Sequence, residues 1–364
     1  MHRNNYIAVQ LIDSKLYAIN CYLKNDFSII DLETGYVSPF FEEGGFRENG
    51  INPINIIHKY KDGFLCVDDS GSTIIKTNAY DTRKIEYFCL DMRIYNLAYP
   101  QCIWSSIHND CLYVFSAFED TLYIFDIEKK TVVVNEAVFG GNKSSDNEKL
   151  YVYAYEDKNI LYLIRKDGEI HIFNLLDSSK GIIKLSCGEC IVNARYHKGK
   201  VYLLSEKGRV YYYDEYKSIN EIEIKDSEIK LLSDKKVWAM AVCDDRIYFM
   251  PGVSDKIYYL KYKERLGELY EYENQPCDLK YNCAIKEQFK FFLSSENDEM
   301  VCFANPTTQY IAIVEKHTGN MRWLKPEAEN KKEDIKRLFM NHGTVSEFEG
   351  SLEQFVEYLT EDVK

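Results

Sequence analysis

The chain has few of the features that mark a membrane protein, a nucleic-acid binder or a known reaction. No stretch reaches the roughly 18 consecutive apolar residues of a membrane span. The opening apolar run Tyr6–Ile12 is short, interrupted by Gln10 and followed by Asp13. It is too brief for the core of a secretory signal, and no small-residue cleavage site follows. No run of five or six Lys or Arg occurs, and the net charge is −13 with a pI near 5.2. A duplex-binding face needs concentrated basic charge to release counterions, so neither nucleic acid nor an anionic membrane is expected as a partner. The 11 cysteines are odd in number and irregularly spaced. Disulfide scaffolds are short and even-numbered, so reduced thiols in the cytoplasm are expected.

Signatures of chemistry are equally sparse. Gly44-Gly45-Phe46 lacks the lysine and helix of a phosphate loop, and no GxSxG occurs. Cys187-Gly188-Glu189-Cys190 is a lone CxxC. A structural zinc site usually needs two such knuckles, and a redox pair would open a helix, so two thiols in a tight turn are the simpler expectation. The seven histidines form no HxH or HExxH pair. His58, His108 and His197 fall near the ends of expected inner strands, where they either converge or serve structure. No cofactor and no metal is expected.

What the chain does have is aromatic and repetitive. Apolar residues make up 46% and aromatics 14%, with 30 tyrosines. Tyrosine favours strands, where its ring packs and its hydroxyl stays wet. A two-strand unit recurs, opening on an apolar-aromatic pair and closing on a polar marker. Leu16-Tyr17 leads to Asp31, Leu112-Tyr113 to Asp126, Leu161-Tyr162 to Asn174, Val201-Tyr202 to Asp214 and Ile247-Tyr248 to Lys261. Val301-Cys302 with Glu315 is weaker, and Phe64-Leu65 with Asp81 is the poorest copy. The markers advance by 50, 45, 48, 40, 47 and 54 residues. That is the length of a four-stranded propeller blade. A lone blade exposes two apolar faces, and stacking blades around an axis buries both. The expected fold is all-β, a seven-bladed β-propeller over residues 1–328. Six or eight blades stay open, because the second and seventh copies are degenerate. The ring should start on an inner strand, Tyr6–Ile12, and end on an outer one, 320–326. Closure is therefore expected by face-to-face packing without a shared strand.

Residues 329–364 read differently. Ile335, Leu338 and Phe339 follow helical spacing, and His342-Gly343 is a stop. Ser351 and Gln354 make a capping box before the stripe Leu352, Phe355, Val356 and Leu359. A two-helix tail is expected, packed on the propeller or presented to a partner or a second copy. The protein would be a monomer or a tail-mediated homodimer.

The strand pattern over about 6–326 resembles the bacterial propeller superfamily of WD40-like, kelch-like and quinoprotein-like rings. Asp31-Leu32-Glu33-Thr34-Gly35 and Glu315-Lys316-His317-Thr318-Gly319, with Trp323 beyond, are similar to the turn of quinoprotein-like repeats. The resemblance implies a turn glycine and a tryptophan packed between blades, and carries no quinone cofactor. No Trp-Asp dipeptide closes the blades, and the Gly44-Gly45 and Gly140-Gly141 doublets do not recur as in kelch repeats. Propeller sites lie at the channel mouth where innermost strands begin. The candidate ligand-binding residues there are Trp104, Asn193, Arg195, Trp238, His58 and Arg47. Aromatic, guanidinium and amide groups together suit a sugar or an anion, unless the tryptophans are inter-blade packing. Two functions follow. One is a non-enzymatic scaffold that recognises a protein or peptide through its loops. The other is a carbohydrate-active lyase or epimerase at the channel mouth.

Overall fold

Alternating apolar residues make strands with one face for each neighbour, and here that alternation is met seven times. The computed structural model describes residues 6–20, 27–39, 54–68, 73–78, 85–90, 102–140, 149–185, 188–214, 219–235, 237–251, 256–274, 276, 293–304 and 310–326. They form seven four-stranded antiparallel sheets, each built from four consecutive strands in sequence order. These are the blades of a β-propeller. Their innermost strands are Tyr6–Ile12, Ile54–Tyr60, Cys102–His108, Tyr151–Asp157, Ile191–His197, Val237–Val242 and Leu293–Glu296. Those of blades 1 to 6 pack in chain order, and that of blade 7 returns to that of blade 1.

The repeat markers fall at the ends of the third strands as the spacing requires. Asp31, Asp126, Asn174 and Glu315 are the last residues of theirs. Asp214 directly follows its strand, and Lys261 lies just inside its own. The poorest fit is the second blade, whose third strand closes at Asn78, short of Asp81. After the marker the chain turns tightly. Asp31 Oδ1 accepts hydrogen bonds from the Glu33 and Thr34 amides and the Thr34 hydroxyl, and Gly35 takes φ +78°. Thr318 Oγ1 donates to Glu315, and Gly319 sits at φ +66°. An aspartate or glutamate that captures its own turn, followed by a residue free to adopt positive φ, explains the recurrence of this motif. The first hairpins are two-residue turns with both residues at positive φ, as at Asn109-Asp110, Lys158-Asn159 and Lys198-Gly199. Such turns match the right-handed twist of the flanking strands.

The core lies between blades. Leu112, Val114 and Phe125 of blade 3 pack against Leu65, Val67 and Ile74 of blade 2. Leu161 and Leu163 pack against Phe115 and Leu122 at the next seam. Removing these surfaces from water is what drives the blades together. At the final seam Leu11, Leu16 and Ile30 meet Cys302, Ile311 and Ile313. Both terminal blades are complete, so the ring closes by packing, with no shared strand. Trp323 packs between blades 6 and 7, as the quinoprotein-like motif implies.

Among the described residues there is one helix, α1 (Asp226–Lys235), inserted between blades 5 and 6. It stands outside the repeat. The two tail helices expected over 329–364 lie outside the described residues. None of the described helices is long and apolar enough to cross a membrane.

Candidate functional site

The innermost strands share an irregularity near their starts. In each of blades 1 to 6 the pairing with the second strand slips by one residue. The extra residues are Ile7, Asn55, Ile103, Val152, Val192 and Trp238. All are apolar except Asn55 of blade 2. A bulge leaves its residue unpaired and bends the strand. Of these residues Ile103 and Val152 pack into the seams between blades. Val192 is 39% exposed. Trp238 thus occupies the position of Val192 in the next blade, and its side chain lies outside the described residues, as does Arg47.

Deeper in the channel a polar cluster spans blades that are not neighbours. Tyr153 Oη of blade 4 donates to Glu296 Oε1 of blade 7 (3.0 Å). Arg195 Nη2 of blade 5 donates to Ser294 Oγ of blade 7 (2.6 Å), and its Nε lies 3.6 Å from Glu296 Oε1. Lys316 Nζ is 2.8 Å from the other Glu296 oxygen. The Arg195 guanidinium also covers the Tyr153 ring, 5.1 Å from its centroid. Its Nη1 donates to Asn193 Oδ1 (3.2 Å) and to the Ala194 carbonyl (2.7 Å). Burial, then the Glu296 charge, raises the Tyr153 pKa, so its hydroxyl stays protonated and donating. This cluster crosses the channel and forms its floor.

A second network is buried between blades 3 and 4. The Tyr151 hydroxyl bonds to Asp120 and lies 2.9 Å from His171 Nδ1, whose Nε2 is 3.2 Å from Glu169 Oε2. Tyr151, Asp120 and His171 have almost no exposed surface. Burial pushes the His171 pKa down and the Tyr151 pKa up. The His171 bond is the main cause of a lowered Glu169 pKa. Such a network rigidifies a seam.

The histidines expected near the strand ends bridge neighbouring blades. His58 Nε2 is hydrogen-bonded to Ser105 Oγ (2.6 Å), His108 Nε2 to Glu156 (3.3 Å) and His197 Nε2 to Asp244 Oδ1 (2.8 Å). Tyr60, at the strand-end position of His108 and His197, donates to Asp110 Oδ1 (2.7 Å). The result is a belt of inter-blade bonds around the end opposite the mouth. Trp104 is 8% exposed and packs with Phe115 and Tyr151, so its ring serves the blade 3/4 seam. Of the six candidate residues, Asn193 and Arg195 are brought together. His58 and Trp104 are built into seams. The other floor residues, Tyr153, Ser294, Glu296 and Lys316, escaped the sequence reading. Ser294 and Glu296 alone carry a signal, the polar strand Leu293–Glu296, where other innermost strands are mostly apolar. Cys190 is half-buried beside the mouth and Cys187 lies outside the described residues. Among the described residues no group of His, Cys, Asp or Glu is arranged to hold a metal.

The fold and the channel define a seven-bladed β-propeller. No family model and no curated protein matches the chain. Solved structures do. A streptogramin B lyase superposes with TM-score 0.57 at 11% identity, over 88% of this chain and 94% of that one. Kluyveromyces lactis Hsv2 gives 0.52 at 7%, over 88% and 97%. BamB from Moraxella catarrhalis gives 0.50 at 13%, over 88% and 87%. At these identities the likeness is one of fold, and a fold of this kind hosts many functions.

Proposed function

We propose that this chain is a non-enzymatic binding propeller that recognises a protein or peptide partner on the face where its innermost strands begin. The observation that carries it is Val192, an apolar side chain 39% exposed where the innermost strand of blade 5 begins. Below it Tyr153, Arg195, Glu296 and Lys316 are hydrogen-bonded and ion-paired with one another. An exposed apolar side chain at the mouth suits contact with a polypeptide. The cytoplasmic location expected from the cysteines belongs to the same proposal.

A photo-crosslinking residue at position 192 of the full chain, against one at position 182 on the outer strand of blade 4, tests it in cells of origin. Position 192 should capture a discrete polypeptide that 182 does not, and the isolated partner should bind the purified chain with an affinity reduced at least tenfold by Val192→Asp. Turnover of an oligosaccharide panel, abolished by Arg195→Ala, would replace this reading with the lyase or epimerase.

A further inference from the structure

We infer that the polar cluster centred on Glu296 pins the last blade of the ring, tying blade 7 across the channel to blades 4 and 5 and so holding it in place against blade 1. At six of the seven seams the chain itself runs from one blade to the next. At the seam between blades 7 and 1 it does not. That seam is held by the apolar cluster of Leu11, Leu16, Ile30, Ile311 and Ile313, and by few hydrogen bonds among the described residues. The Leu11 amide donates to Ser295 Oγ (2.8 Å), Asn297 Nδ2 to the Asp13 carbonyl (3.2 Å) and Arg322 Nη2 to the Leu32 carbonyl (2.9 Å). Opening there costs no loop closure, so it is the seam at which a ring of packed blades comes apart.

The cross-channel bonds oppose that opening. Blade 7 cannot swing out without breaking Tyr153 Oη to Glu296 and Arg195 Nη2 to Ser294, which anchor it to blades 4 and 5 on the far side of the ring. Glu296 stands between two cations, Arg195 and the buried Lys316. Moving blade 7 takes Glu296 away from Arg195 in a partly desolvated channel, while Lys316, on blade 7 itself, moves with Glu296, so the opening breaks several bonds together rather than fraying locally.

The test is native-state hydrogen exchange by mass spectrometry on the full chain. Glu296→Ala should raise exchange about tenfold or more in residues 6–20 and 293–304, which flank the seam. Residues 102–126 of blade 3 should hold their wild-type rates, and Glu296→Gln should fall between. A core variant, Leu163→Ala, should not reproduce that seam-selective pattern. If Glu296→Ala fails to fold, the double variant Tyr153→Phe, Ser294→Ala removes two of the bonds without leaving a charge unpaired, and should show the same pattern in smaller measure. Unchanged exchange at the seam, or a rise spread evenly over all seven blades, overturns the inference.

Discussion

His58 shows how a single side chain is converted from a candidate ligand into a structural part. It sits on an innermost strand, and its Nε2 is hydrogen-bonded to Ser105 Oγ of the next blade (2.6 Å). Burial pushes its pKa from 6.5 down to about 4. The folded protein therefore holds it neutral where the unfolded chain would take up a proton. Stability should fall as the pH is lowered from about 6.5 to about 4, because only the unfolded state gains a proton in that window. The loss attributable to His58 should be of order 2 kcal/mol. His58→Gln, which can keep the bond to Ser105, should flatten that part of the pH profile in urea unfolding at about pH 7, 5.5 and 4.5. An unaltered profile would show that another group carries it.

At the scale of elements, α1 is the feature the repeat does not anticipate. Asp226 and Glu228 in its first turn favour the positive end of the helix dipole, and Glu228 reaches back to accept the Lys225 amide (3.0 Å). Leu232 enters the core between blades 5 and 6. The helix lies directly on a hairpin of blade 5. Ser233 Oγ donates to the Glu206 carbonyl (3.0 Å), and a Cβ on Gly208 would lie 2.2 Å from the Ile229 carbonyl oxygen. Gly208 also sits at φ +83°. Clash and backbone strain combine in Gly208→Ala, which should cost about 2–4 kcal/mol. Chemical denaturation measures this directly, and a loss below about 1 kcal/mol would mean that helix and hairpin separate freely.

At the scale of the molecule, closure without a shared strand has a consequence for connectivity. Every sheet is complete in itself, so the chain ends can be moved to another seam without dividing a blade. A circular permutant that joins residue 364 to residue 1 by a flexible linker and opens between 143 and 144 should fold to the same strand content. Blade 4 then remains tied to blade 7 through Tyr153 and Glu296. The permutant should lose no more than about 2 kcal/mol, the scale of a changed loop closure. Circular dichroism with thermal unfolding checks it, and an unfolded permutant would show that the native seam is special.

The sequence by itself determined the blade. Period-2 alternation, the apolar-tyrosine pairs and the turn motifs at Asp31 and Glu315 are local, because a strand's two faces and a captured turn depend on residues a few positions apart. The same locality made Asn193 and Arg195 readable as a pair, two residues apart on one strand. The degenerate second copy still made a blade, since its core residues Leu65, Val67 and Ile74 keep the alternation although its marker does not end the strand. Only the tertiary structure decided what those blades do to one another. Trp104 and His58 have the chemistry of a ligand site, and the stacking of blades spends it on seams. Arg195 finds Ser294 and Glu296 about a hundred residues away, across a channel that exists only once the ring is closed. No spacing in a sequence encodes that distance, because it is set by the number of blades and the angle between them.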